Sequence, residues 1–382
     1  MKKKVIGIFV SMLLFFAILP VSGNILKYEK EIPISFGNIL YVGGNGPGNF
    51  TYIQDAIQNS SDGDTVFVYD DSSPYCENIR VNKAINLVGE DKYTTELNGH
   101  LKGYVVYIVS DGASICGFTI MHSEDAWRYA GIEIYEADNV TVSDNIIMEN
   151  CIGVSVRGEH QFNSYAVNNK ISDNIISSNS RFGIWLDLCN DSIITNNIIT
   201  DTEERGIHTN FACHNTISDN YISNNNIGMS LYQFSNNNKI IGNKITDNRM
   251  WGLFIDESSS FIVSNNNISN NKLRGVWLRN ANNHNITGNA ITNNKICGLA
   301  LDGSYRNNIC QNNFIDNGVI NVRFALYFTK IFERNKWDGN YWGESKTRIH
   351  LIHGRISIFG FIFGILPWIN FDWHPASEPY DV

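Results

Sequence analysis

Apolar residues in this chain fall at alternate positions in short runs, and Asn-rich bends separate the runs. The bends are periodic. An Asn recurs at Asn145, Asn174, Asn197, Asn220, Asn243, Asn266, Asn289 and Asn312; after a first gap of 29, every step is 23. A second series lies five residues further on, at Asn150, Asn179, Thr202, Asn225, Asn248, Asn271, Asn294 and Asn317, with Thr202 the one departure. A glycine then follows in each unit, from Gly153 and Gly183 through Gly206, Gly228, Gly252 and Gly275 to Gly298, and Gly131 opens the same segment one unit earlier. Apolar columns run between these landmarks. Three before the first Asn stand Val142, Ile171, Ile194 and their successors. One and three after the glycine stand Ile184 and Leu186, Leu253 and Ile255, Leu299 and Leu301.

Short runs with period two are strands, not helices. The consensus is neither Leu-based nor marked by Trp-Asp pairs, so leucine-rich repeats and propellers are set aside. Each unit is predicted to be one coil of three short strands, with equivalent columns stacked about 4.8 Å apart. The expected fold is all-β, a right-handed single-stranded parallel β-helix. Roughly ten or eleven coils would fill the chain. Aliphatic ladders should fill the interior. Asn is expected at the bends because it tolerates left-handed backbone and because stacked amides can hydrogen-bond along the axis.

A stack has two open ends, and both look covered. Tyr52, Ile53, Ala56 and Ile57 recur at helical spacing, which predicts a short amphipathic helix over the first coil. The repeat fails after Asn317, and the aromatic-rich residues 319–382 are expected to form a C-terminal cap. The division expected is thus residues 1–23 as leader, 24–100 as N-terminal cap and first coils, 101–318 as repeats and 319–382 as cap.

Composition narrows the class. The chain has 382 residues, 43% hydrophobic, which suits a large core rather than disorder. Its net charge of −9 excludes a basic nucleic-acid footprint. Lys2, Lys3 and Lys4 precede a nearly continuous apolar run over residues 5–19, then Pro20 and the small residues Ser22 and Gly23. This pattern predicts an export signal, or an uncleaved anchor if it is not removed. Seven cysteines, an odd number, include Cys189 and Cys213 at near-equivalent places in neighbouring coils, where they could approach. Most read as small buried apolar residues. Without a CxxC, a zinc site is not expected.

The segment "YIQDAIQNSSDGDTVFVYDDSSPYCENIRVNKAINLVGED", with "ICGFTI" and the Asn-rich coils after it, resembles the NosD-like parallel β-helix repeat proteins, exported by prokaryotes and common in archaea. "NKWDGNYWG" resembles the tryptophan motif that follows the coils in that family, and "FDWHPASEPYDV" its archaeal terminal segment. The resemblance covers residues 40–382 and implies a pectate-lyase-like solenoid. The family's namesake is linked to copper delivery, a role not carried over, because no His, Cys or Met cluster stands at ligand spacing. His350, His353 and His374 in the cap could meet, but read as separate surface histidines.

If residues one and three after each glycine point inward, residues two and four point out. The second-position column is Glu133, Ser155, Trp185, His208, Ser230, Phe254, Trp277 and Ala300. The fourth-position column is Tyr135, Arg157, Asp187, Asn210, Tyr232, Asp256, Arg279 and Asp302. Exposed aromatics interleaved with charges suit a groove for an extended polysaccharide or cell-surface glycan, with Tyr135, Arg157, Trp185, Tyr232, Phe254 and Trp277 as contacts. The alternative is that an insertion at residues 158–163 covers the rings. The same face could be catalytic, as in a lyase, hydrolase or epimerase. Asp187 and His208 would be an acid/base pair. Asp256 and Asp302 would lie about 9.6 Å apart at the backbone, near the spacing of inverting glycosidases, with Arg279 between them. That column is equally a plain ion-pair ladder. The expectation is an exported or cell-surface monomer, a carbohydrate-binding or structural surface module with a glycan partner, no cofactor, no metal and no nucleic acid; the alternatives are a polysaccharide-processing enzyme and, on the family name alone, a copper accessory protein.

Overall fold

A computed structural model describes residues 37–345, 348–359 and 363–382. The leader read at residues 1–23 lies outside them. Among the described residues no helix is long and apolar enough to cross a membrane.

The chain winds in turn through three main sheets, parallel but for a closing antiparallel hairpin, and along the repeats each coil adds one strand to each. The first sheet has 13 strands, from Ile39–Val42 to Lys336–Asp338. The second has 10, from Glu96–Asn98 to Asn313–Ile315. The third has 13, beginning at Ile79–Val81 and ending in the long hairpin of His350–Phe359 and Phe363–Asp372. The solenoid has about 12 turns, slightly more than the repeat count, because strands at both ends continue the sheets without its landmarks.

The predicted columns lie over one another. Ile184 pairs with Ile207, and Leu186 with Thr209, one coil on. Ile194 pairs with Ile217, and Ile199 with Ile222. All are buried, and the aliphatic ones belong to one continuous core. The glycine landmark marks a tight place: a Cβ on Gly228 would meet the Gly252 carbonyl at 2.6 Å and Ile245 Cγ2 at 2.6 Å.

The bend asparagines are buried, and the side chain of each serves the backbone of the coil before it. The Asn220 amide N–H donates to Asn243 Oδ1 at 3.0 Å, and Asn220 Nδ2 donates to the Ile194 carbonyl at 2.9 Å. Asn243 does the same toward Asn266 and Ile217. One side chain thus satisfies backbone groups that the bend would leave buried and unpaired. The expectation that these asparagines also adopt left-handed backbone is corrected. The left-handed residue is the one before: Asp173, Asn196, Asp219, Gly242 and Asn265 ahead of the first series, Ser178, Asp201 and Asn224 ahead of the second. The bend divides its work between an exposed residue that turns the chain and a buried one that carries the hydrogen bonds. A third ladder runs through Asn169, Ser192, Asn215 and Asn238, and resumes at His284, Asn307 and Asn335.

Both ends are closed. The helix Ile53–Asn59 buries Ile53, Ala56 and Ile57, while Tyr52 sits at its N-cap, exposed. Gln54 uses its side-chain amide as a strand would, accepting from Arg80 N–H and donating to Arg80 O, which blunts the open edge of the third sheet. At the far end the tryptophan motif continues the stack. Asn335 extends the third ladder and Asn340 the first, and Trp337 and Trp342 cover the core. Buried Asp372 ends the first ladder, accepting from Gly339 N, Asn340 N, Asn340 Nδ2 and Trp342 Nε1.

The cysteines are all unbridged. Cys189 and Cys213 do not pair, because they are one residue out of step. Cys213 stacks on Asn190, so Cys189 faces the interior and Cys213 does not.

Candidate functional site

The outer face of the third sheet carries three columns, two of them predicted. The third, just before the glycine, holds Ile152, Phe182, Arg205, Ile227, Trp251, Arg274 and Cys297. It changes the picture, because its side chains fold over the second-position column. Phe254 is 1% and Trp185 4% exposed, so the expectation of freely exposed rings is corrected. Phe254 stacks on Trp277 at 4.5 Å between centroids, and Trp251 meets both. Arg274 lies over Trp277 at 4.2 Å, and Arg205 over Phe182 at 5.4 Å. The face is a second, aromatic–arginine core, open at two clefts.

The first cleft, of about 560 Å³, is walled by Tyr104, Tyr107, Trp127, Tyr135, Arg157, Glu159, His160, Trp185 and Asp187, with Phe211 and Gln233 at its edge. Tyr104, Tyr107 and Tyr135 form a stacked row, with centroids 5.2 Å and 6.2 Å apart. Arg157 is fixed on every side. Its Nε donates to buried Glu133 at 2.6 Å, its Nη2 to the Tyr104 hydroxyl at 3.1 Å, and its guanidinium lies against the Tyr135 and Trp185 rings. Burial pushes the Glu133 carboxyl up to about 7, against the pull of Arg157. The Tyr135 hydroxyl donates to Glu159, a bond that raises the phenol to about 12 and holds the carboxylate below its usual range.

Asp187 meets His160 Nε2 at 3.0 Å, not His208. The predicted Asp187–His208 pair is therefore corrected. In register Asp187 lies opposite Asn210, and His208 opposite Trp185. His208 instead bonds Ser230 Oγ at 2.8 Å, wedged between Phe182 and Tyr232. Burial and the charge of Arg205 drop its imidazole to about 3, which leaves it neutral and unsuited to proton transfer at ordinary pH.

The second cleft, of about 680 Å³, is lined by Glu257, Trp277, Arg279, Asp302, Tyr327 and Arg355, among others. Arg279 grips Asp256 with two hydrogen bonds, one of 2.8 Å. Asp302 does not share that arginine. It accepts from Trp277 Nε1 at 2.8 Å and from Arg323 at 3.3 Å. The expected Asp256–Arg279–Asp302 ladder is thus two separate ion pairs.

The insertion at residues 158–163 is not a roof. It supplies Glu159 and His160 to one wall, while Phe162 is exposed. Sequence reasoning missed these two, together with Tyr104, Tyr107, Trp127 and Phe211. One signal was available: the insertion is a break in an otherwise strict period, and such breaks fall on the working face of solenoids. Phe211 is marked only by the structure. It adopts left-handed backbone (φ 47°), where a bulky residue is an outlier.

Among the described residues no group of three or more His, Cys, Asp or Glu is placed to hold a metal ion. His350 stacks on Trp342, and His374 bonds Asp338.

The sequence matches the family described as right handed beta helix region over residues 35–226 and 162–315. The chain belongs to the right-handed β-helix family. No curated protein matches it in sequence. Among solved structures this β-helix is similar to the A-module of the Azotobacter vinelandii mannuronan C-5 epimerase AlgE6, at TM-score 0.65 and 15% identity, over 86% of this chain and 95% of that one. It is also similar to a mutant of the periplasmic alginate epimerase AlgG, at TM-score 0.57 and 17% identity, over 74% and 71%. Dettilon tailspike protein matches at TM-score 0.53 and 14% identity, over 75% and 68%. At these identities the likeness is one of fold.

Proposed function

We propose that this β-helix protein is exported and binds a polysaccharide along the outer face of its third sheet. One observation carries the reading: the two clefts lie on one face, with their nearest lining residues in consecutive coils. Gln233 edges the first and Glu257 lines the second, and they follow Tyr232 and Asp256 in consecutive coils. The furrow so formed runs from the strand of Tyr107 to that of Arg355, ten strand steps along the axis, about 48 Å. A small ligand needs no such length; an extended polymer does. The exposed parts of Trp127, Tyr135, Trp277 and Tyr327 along it offer apolar surface to sugar rings, and the polar groups between them offer partners to hydroxyls. Two fold relatives carry alginate or mannuronan in their names, in keeping with this reading. The leader-like N-terminus supports export.

A second reading is turnover in the first cleft. It is favoured by the His160–Asp187 pair, an imidazole oriented by a carboxylate beside an open cavity. A glycan-array screen of the purified protein, followed by titration of the best ligand, tests the first reading. Trp277→Ala should weaken binding about tenfold or more, since a stacked ring is lost. Undiminished affinity in that variant would remove the furrow from the account. Product analysis with His160→Ala separates turnover from binding.

A further inference from the structure

We infer that the polymer taken by this furrow is a neutral glycan and not a polyuronate, an inference that rests on the polysaccharide reading above. The charges of the face argue for it. Two arginines and two carboxylates line each cleft: Arg128 and Arg157 with Glu159 and Asp187 in the first, Arg279 and Arg355 with Glu257 and Asp302 in the second. Among the described residues no lysine lines either. Just behind them stand Glu133, Asp256 and Arg323, each already joined to a partner of the face, and Arg205 and Arg274, which lie over Phe182 and Trp277. Neither cleft carries an excess of positive charge.

The arginines best placed to meet a carboxylate are already committed. Arg157 is held by Glu133 and Tyr104 and sandwiched by two rings. Arg279 is clamped on Asp256. A polyuronate brings one carboxylate with every sugar. Each would have to be stripped of water beside Glu159, Asp187, Glu257 and Asp302, and only Arg128 and Arg355, one to a cleft, remain among the lining arginines to receive a carboxylate on every sugar. The whole chain, at −9, adds a repulsive field at long range. A neutral chain suffers none of this. Its hydroxyls can donate to the same carboxylates, and its apolar ring faces can lie on Tyr135, Trp127 and Trp277.

The test titrates the full-length protein with length-matched polymers in two sets, at low and at high salt. One set holds neutral hexose and pentose polymers, the other polymannuronate and polygalacturonate. The expected result is a neutral ligand whose affinity barely changes with salt, and polyuronates at least about tenfold weaker than it at low salt. A polyuronate that binds as tightly as the best neutral polymer, and loosens with salt, overturns the inference. If its binding is then lost in Trp277→Ala and Trp127→Ala, the furrow stands and only the ligand class falls. Trp127 is half exposed, so at least that variant should keep its fold. If no polymer of either set binds, the inference and the polysaccharide reading fall together.

Discussion

Inside the stack one coil nearly copies the next, whereas on the outer face of the third sheet no two coils are alike. Along the first bend Asn174, Asn197, Asn220, Asn243, Asn266 and Asn289 repeat the same bonds to the same neighbours. Across the outer face Glu133, Ser155, Trp185, His208, Ser230, Phe254 and Trp277 share one column and have different partners. Both regions are well packed, so the difference is not one of burial. A ladder needs identity between coils to align its hydrogen bonds. A binding face needs variety, because a polymer is recognised by what changes along it.

The contrast can be broken at several places. The largest effect is expected at mid-ladder. Asn243→Ala removes the acceptor of the Asn220 N–H and the donor to the Ile217 carbonyl, leaving buried backbone groups unpaired. It should cost about 3 kcal/mol in denaturant unfolding, since each orphaned group costs about 1–3 kcal/mol. A loss below about 0.5 kcal/mol would show the ladder to be decoration.

The next effect depends on pH. His284 stands where the third ladder has Asn, accepting from Phe261 N–H at 3.1 Å. Burial lowers its imidazole to about 3, and His208 is lowered equally, from the usual 6.5. The folded protein keeps both neutral, while the unfolded chain takes up protons below about pH 6.5. Stability should therefore fall as pH drops from about 6.5 toward 3. His284→Asn, which restores the ladder residue, should flatten that decline, by up to about 3 kcal/mol at pH 4. An unchanged acid limb would mean that His284 is hydrated.

Two smaller changes sharpen the comparison. Thr202 interrupts the second ladder, and its buried hydroxyl has no hydrogen-bond partner among the described residues. Thr202→Asn should stabilise by about 1 kcal/mol, read as a higher melting temperature. Phe211 is the opposite case, a ring in a left-handed position that suits Asn. Phe211→Asn should gain about 0.5–1 kcal/mol and weaken glycan binding several-fold. A gain in stability with no loss of affinity would leave Phe211 without a role at the cleft.

These regions also differ in how far the amino-acid sequence discloses them. The coil period, the inward columns and the buried Asn series were legible because in-register stacking writes the same residue at the same interval. The column facing outward was legible too, but its contacts were not. Register makes Asp187 and His208 near neighbours, yet their side chains turn to His160 and Ser230, which lie in an insertion and in the next coil. Phe182, Trp251 and Arg274 stand in the column before the glycine, outside the period-two outward columns, and they cover rings expected to be free. The bend was read as one residue doing two jobs, where the chain uses two.

Amide hydrogen exchange on the full-length protein, with and without its best glycan ligand, tests the account most directly. The account predicts added protection in the outer strands between Ala130–Tyr135 and Cys297–Asp302 and in the loop at residues 158–164, with the first and second sheets unchanged. Protection confined to those two sheets, or to the C-terminal hairpin, would contradict it.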